Sequence, residues 1–143
     1  MNELQACIEQ KQVLLTKLRD LSQQIELQCD KSEHRDLADF VEKRQIYLDR
    51  LKKCTNRITV LTKKLPPHEQ QRMNLILSAK LSKEQCNTEE IHLLDVEVNC
   101  RTLLQQISSY DANSRQKIKQ ECDRLRGLVN DSRNKNTCSI PYF

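Results

Sequence analysis

The chain has 143 residues with one glycine, three prolines, three tyrosines, two phenylalanines and no tryptophan, and its net charge is +4. A single glycine excludes glycine-rich phosphate-binding loops, and so little turn chemistry and so few bulky side chains are typical of long helices. We therefore predict an all-α protein, an elongated antiparallel helical bundle or coiled-coil hairpin of three to four helices. No Gly/Ser-rich or Pro-rich stretch divides the chain, which indicates one domain over residues 1–131.

Charge alternates along the chain. Acidic residues predominate in 1–30 and 66–100, and basic residues predominate in 31–65 and 101–143. Segments of opposite sign favour antiparallel pairing within the chain, whereas a nucleic-acid binder gathers its positive charge on one face and adds aromatic residues. We therefore expect no nucleic-acid partner and keep a basic nucleic-acid-associated factor only as an alternative.

The seven cysteines have no CxxC spacing and an odd total, which is not a disulfide framework. Free thiols in this number indicate a reducing compartment. The N-terminus lacks a basic region followed by an apolar core, and no apolar run is long enough to cross a membrane. We expect a cytoplasmic protein without a membrane span. The cysteines are Cys7, Cys29, Cys54, Cys86, Cys100, Cys122 and Cys138.

The first helix is predicted over residues 2–29, where apolar residues keep helical spacing except at Lys11 and Ser22. A polar interval, 30–35, follows, with Ser32 as the expected N-cap of the next helix.

The second helix is predicted over 33–65 and ends where Pro66 and Pro67 oppose helical geometry. Its residues follow one another at steps of three and four, the rhythm of a helix lying against another helix. Arg44 is the one charged residue in this series. We expect it either to fix the register of the helix pair or to extend its aliphatic side chain over the interface toward an acidic residue, Glu3, Glu9 or Asp95. The stripe comprises Leu37, Phe40, Arg44, Tyr47, Leu51, Cys54, Ile58, Leu61 and Leu65.

The third and fourth helices are predicted over 67–86 and 88–130, with Asn87 and Glu90 forming a capping box between them. The sequence leaves open whether the two helices are separate or merge into one bent rod. Residues 132–143 lack periodicity, and we expect a flexible tail there. Its apolar end, Ile140–Phe143, could contact a partner or the chain itself, or serve no purpose.

No arrangement of residues suggests catalysis, a cofactor or a metal site. None of His34, His68 and His92 has a second histidine or a cysteine at metal-ligand spacing, so we interpret each as a solvated polar residue. The protein is expected not to be an enzyme.

The fourth helix carries more apolar surface than one neighbour can cover. Such a helix either occupies the middle of a bundle, here packed against helices one and three, or binds a partner protein. The residues that we predict to bind a partner are Ile91, Leu94, Val98, Leu104 and Val129.

Two segments resemble a known family. Residues 37–51, which include Glu42-Lys43-Arg44-Gln45, resemble the second helix of the FlgN/FliT-type bacterial flagellar export chaperones. Residues 103–113 are similar to that family's third long helix, in which a hydrophobic run precedes an Asp-x-Asn element, as in Asp111-Ala112-Asn113.

The resemblance covers residues 2–130 and implies a helical cytosolic chaperone that holds the helical termini of hook-associated or filament-cap proteins before type III secretion. The alternative is a coiled-coil structural adaptor or oligomeric scaffold that uses the same stripes between chains. Either a monomer or a homodimer is compatible with the sequence.

Overall fold

A computed structural model describes residues 2–31 and 36–136, and its described residues contain four α-helices and no strand. This confirms the predicted all-α class. A short 3-10 turn, Lys83–Gln85, lies between the third and fourth helices. The helices are α1 (Asn2–Cys29), α2 (Leu37–Lys63), α3 (Pro67–Leu77) and α4 (Thr88–Asn136).

The first helix, α1, is the centre of the bundle, because it packs along its length against both α2 and α4. Apolar residues on two adjoining faces make this possible, since Leu14 and Leu15 are neighbours in sequence and both are buried. The short α3 packs on α4 and α2 at the end of the bundle where α1 begins.

The helix directions differ from the expected antiparallel bundle in one pair. The α1–α2 pair is antiparallel, since Glu3 contacts Arg57 and Cys7 contacts Cys54. The α1–α4 pair is parallel, because residues further along α1 contact residues further along α4: Glu9–His92, Lys11–Glu97 and Glu26–Lys117. The reason is that α2 already returns the chain to the end at which α1 begins, and the short α3 stays at that end, so that α4 starts there and runs alongside α1.

The core follows the predicted stripes. The α2 stripe lies on the core side, with Ile58 buried and its neighbours Tyr47, Leu51 and Cys54 packed against the core. The buried core cluster consists of Leu4, Ile8, Leu15, Leu18, Ile58, Met73, Ile76, Leu93, Val96, Cys100, Leu103 and Ile107.

Helix α3 ends at Leu77, whereas the sequence predicted a helix to residue 86. Ala79 adopts a left-handed conformation with φ of 54°. The backbone N–H of Ala79 donates to the carbonyl of Ile76, and that of Lys80 donates to the carbonyl of Leu75. These two bonds are those of a Schellman motif, which terminates a helix. The third and fourth helices are therefore separate.

Helix α4 continues to Asn136, so residues 132–136 are helical and not part of a flexible tail. The remaining predicted tail, 137–143, lies outside the described residues, and so do the predicted N-cap Ser32 and the apolar end Ile140–Phe143. Helix α2 begins at Leu37, four residues after the predicted start, and residues 32–35 also lie outside the description.

Candidate functional site

Helix α4 is much longer than the helix beside it. It has 49 residues, whereas α1 has 28. Asp30, one residue after the end of α1, contacts Lys117 Nζ at 2.7 Å, which fixes the level at which α1 stops. The rest of α4, residues 118–136, extends past that level by about 28 Å at 1.5 Å per residue. We call residues 118–136 the projecting segment.

An exposed apolar stripe runs along the projecting segment. Its members succeed each other at steps of four, three and four, so they share one face of the helix. Ile118, Leu125 and Val129 are 44–49% exposed, and Cys122 is exposed as well. We call these four residues, Ile118, Cys122, Leu125 and Val129, the distal stripe.

The distal stripe continues the face that α4 turns toward α1. Nearer the start of α4 this face carries Cys100, Leu103 and Ile107, all of them buried. The periodicity of the face persists beyond the end of α1, where Leu125 and Val129 remain 47% and 49% exposed. An apolar face that needs a neighbouring helix is thus left open to solvent.

A small groove lies at the inner end of the distal stripe. Its volume is about 160 Å³, and it lies where the end of α1, the start of α2 and α4 come together. The side chains at its wall are Cys29, Leu37, Lys117, Ile118, Glu121 and Cys122.

The charges on the two flanks of the distal stripe differ. On one flank Lys119 and Arg126 are exposed. On the other flank Arg124 Nη2 donates to Glu121 at 2.6 Å. Lys117 contacts Asp30 and Glu26 on α1, and these carboxylates raise the pKa of the Lys117 ammonium.

The five residues predicted to bind a partner do not form one surface. Leu94 is only 4% exposed, so it is part of the bundle interior, and the expectation that it lies on a docking surface is wrong. Its burial agrees with the alternative interpretation, in which this part of α4 packs against α1 and α3. Ile91 is half-buried.

The other three predicted residues are exposed but separated. Val98 and Leu104 are six residues apart, which places them about 120° apart around the helix. Val129 lies a further 25 residues along, about 38 Å from Leu104. Only Val129 belongs to the distal stripe.

The residues predicted from the sequence to bind a partner did not include Ile118, Cys122 and Leu125, so the exposure of these three side chains was missed. A signal was present in the predicted lengths. A first helix over 2–29 cannot cover the whole face of a fourth helix over 88–130, because the fourth helix is about half as long again as the first.

A second concave region lies at the corner between α3 and α4. Its volume is about 350 Å³, and its wall includes His68, Met73 and Leu93. Two of its charges are paired with each other, because Arg72 Nε and Nη2 donate to Glu90 at 2.9 and 2.8 Å. Arg72 thereby lowers the pKa of the Glu90 carboxyl.

The same corner contains the predicted capping box. The backbone N–H of Glu90 donates to Asn87 Oδ1 at 2.9 Å, and the backbone N–H of Asn87 donates to Glu90 Oε1 at 3.1 Å. The capping box predicted from the sequence is confirmed. Glu90 therefore joins Arg72 on α3 to the start of α4, and this polar cluster holds the two helices together.

Two histidines and a buried cysteine also lie in the bundle. His92 Nε2 lies 2.8 Å from Glu9 Oε1, and His68 and His92 are both exposed, as solvated histidines would be. Burial raises the pKa of the Cys100 thiol to about 11. Among residues 2–31 and 36–136 no group of His, Cys, Asp or Glu side chains could hold a metal ion.

Arg44 makes an ion pair that the sequence did not predict. Its Nη2 lies 2.5 Å from Asp111 Oδ2 on α4, and not near Glu3, Glu9 or Asp95. The antiparallel α2 brings Arg57, not Arg44, to the level of Glu3. Arg44 instead joins α2 to α4 near the end of the bundle from which the projecting segment extends.

Comparison of the chain with protein-family models, curated proteins and solved structures finds no match. In the part of the chain that the structure describes, no helix is both long and apolar enough to span a membrane.

Proposed function

We propose that this protein is a helix-binding chaperone, and that an amphipathic helix of a client protein binds to the distal stripe. The observation that carries the proposal is the exposed apolar face of α4 beyond the end of α1. Apolar residues at helical spacing are the usual anchors for a helix that lies in a groove of another protein.

The energetics support binding of one further helix. Full burial of a leucine, isoleucine or valine side chain contributes about 1.5–3 kcal/mol, and the three aliphatic residues of the distal stripe are about half exposed. Their contribution alone is therefore about 2–4 kcal/mol, before the client's own apolar residues are counted. Such a site suits reversible holding of a client, and it requires no nucleotide.

The client class follows from the resemblance of residues 37–51 and 103–113 to the FlgN/FliT-type chaperones. We propose a flagellar export chaperone whose clients are the helical termini of hook-associated or filament-cap proteins. A segment that forms helical filaments after export has an apolar face that must be covered before export, and a helical bundle with an uncovered face can supply that cover.

The test is a binding measurement with one variant in the distal stripe and one matched control. Leu125→Glu places a charge in the stripe, and Val60→Glu places the same charge at an equally exposed apolar position of α2. Both side chains are about half exposed, so both variants should keep the wild-type circular dichroism and melting temperature.

The ligand for this test is the C-terminal helical segment of a hook-associated or filament-cap protein, titrated by calorimetry. We expect Leu125→Glu to weaken binding at least tenfold, because a charge would be buried in an apolar interface, and Val60→Glu to bind as wild type does. Wild-type affinity in Leu125→Glu, or equal losses in both variants, would contradict the proposal.

A further inference from the structure

We infer that the client helix carries acidic residues seven positions apart along one flank of its apolar stripe, and that it lies on α4 in line with α1. This inference rests on the proposed function and adds the chemistry of the partner. Its basis is the charge that borders the distal stripe.

The basic flank is formed by Lys119 and Arg126, which directly follow Ile118 and Leu125. Residues seven apart lie on the same side of a helix two turns apart, so both cations border the stripe on one side. Both are exposed, and within the described ranges neither has an ion-pair partner. Asp123, the nearest acidic residue, lies further around the helix from the stripe.

On the opposite flank the charges nearest the stripe, those of Lys117 and Glu121, are already paired. Glu121 is held by Arg124, and Lys117 is held by Glu26 and Asp30. Since these charges already have partners in the chain, Lys119 and Arg126 are the unpaired charges that border the distal stripe among residues 117–132, whose side chains the structure describes. In helix pairs the residues that flank the apolar stripe select the partner by charge, so the flank selects acidic residues.

The position of the client helix follows from the face of α4 on which both the distal stripe and the α1 contact lie. The distal stripe lies on the side of α4 that α1 covers at lower residue numbers, and α1 stops at the level of Lys117. A helix on the distal stripe therefore extends the line of α1 past Cys29.

A second copy of this chain is a poorer occupant. In an antiparallel pair with Cys122 opposite Leu125 of the second copy, Lys119 faces Arg126 twice, and four like charges border one interface. In a parallel pair in register, the two α1 helices would occupy the same space, because each covers the stripe-bearing face of its own α4. Charge and shape thus both favour a protein other than this chain as the partner that covers the distal stripe.

The experiment compares two synthetic helical peptides with the same leucine stripe. One peptide has glutamate at two flank positions seven residues apart, and the other has lysine there. Binding to the full chain is measured by fluorescence anisotropy at about 50 mM and about 500 mM salt. We expect the glutamate peptide to bind about tenfold more tightly at the lower salt concentration, and the difference to vanish at the higher one.

Charge reversal supplies the matched variants. Lys119→Glu with Arg126→Glu should reverse the preference toward the lysine peptide. Lys52→Glu with Lys53→Glu, which makes the same change on an exposed part of α2, should leave the preference unchanged. All these side chains are exposed, and unchanged circular dichroism verifies folding.

The outcomes separate the two proposals. Equal binding of both peptides, with loss in Leu125→Glu, would overturn the inference and leave the proposed function in place. If wild type binds neither these peptides nor the client segment, both proposals fail. A dimer in sedimentation velocity that Leu125→Glu abolishes would identify a second copy as the occupant and overturn the inference.

Discussion

Lys11 and Ser22 interrupt the apolar pattern of the first helix, and the structure gives each a role. Lys11 Nζ lies 2.5 Å from Glu97 Oε1, and the two side chains are only 16% and 4% exposed. Ser22 is fully buried, and its small side chain fits where α1 is enclosed by its neighbours. An ion pair enclosed between α1 and α4 is satisfied at one level only, so it specifies the parallel register of these helices.

Lys11→Met should be strongly destabilising. It leaves the Glu97 carboxylate buried without its cation, and removing one partner of a buried ion pair costs about 3–5 kcal/mol. Urea unfolding followed by circular dichroism measures the loss. The double variant Lys11→Met with Glu97→Leu removes both charges and should regain most of the stability. A single variant as stable as wild type would show that the pair does not hold α1 on α4.

At the scale of elements, the end of α3 depends on one residue in an unfavourable conformation. Ala79 has φ of 54°, a left-handed conformation that costs an L-residue about 1–2 kcal/mol and costs glycine almost nothing. The Schellman bonds of Ala79 and Lys80 hold it there, and the chain can then turn back toward α4.

Ala79→Gly should therefore raise the free energy of unfolding by about 1 kcal/mol, since the gain at φ > 0 exceeds the added entropy of the unfolded chain. The urea midpoint measures this change. Ala112→Gly, an exposed position within α4, is the control and should lower stability by about the same amount, as glycine does inside helices. Destabilisation by both substitutions would contradict the left-handed conformation of Ala79.

The elements that the sequence predicted well are those whose ends are set locally. The first helix has the predicted bounds, and the Asn87–Glu90 capping box is present because its bonds join residues three positions apart. The end of α3 could not be predicted, because an alanine gives no sign of the left-handed conformation that Ala79 adopts. Residues 132–136 lack an apolar pattern, yet they prolong α4, since a helix once formed adds each further residue at little cost.

The candidate site was predicted only in part, and the reason lies in the pairing of the helices. The sequence located surplus apolar surface on the fourth helix, but the position of that surplus depends on where α1 stops and where α3 packs. Helical periodicity is the same for Leu94, which is buried, and for Leu125, which is half exposed. Only a comparison of the lengths of the first and fourth helices distinguishes the buried position from the exposed one.

At the scale of the whole molecule, packing decreases from one end of the bundle to the other. At the end where α1 begins, residues from all four helices meet in the core, among them Leu4, Ile58, Met73 and Leu93. Among residues 2–31 and 36–136, α4 alone continues beyond the groove lined by Cys29 and Leu37, and Gly127 weakens it further because glycine inside a helix costs about 0.5–1 kcal/mol relative to alanine. The end that supports the fold and the end proposed to bind a client are therefore opposite.

Amide hydrogen exchange should reveal this gradient. In the free, dilute protein we expect the slowest exchange in α1, which is enclosed by α2 and α4, and exchange faster by several orders of magnitude in residues 118–136. An isolated helix of this length is marginal in water, so the projecting segment should open without unfolding of the bundle. Bound client should slow exchange in 118–136 much more than in α3, which lies at the other end and serves as the internal control. Equal protection of α1 and 118–136 in the free protein would contradict an uncovered distal stripe, because slow exchange there requires a second helix already packed on it.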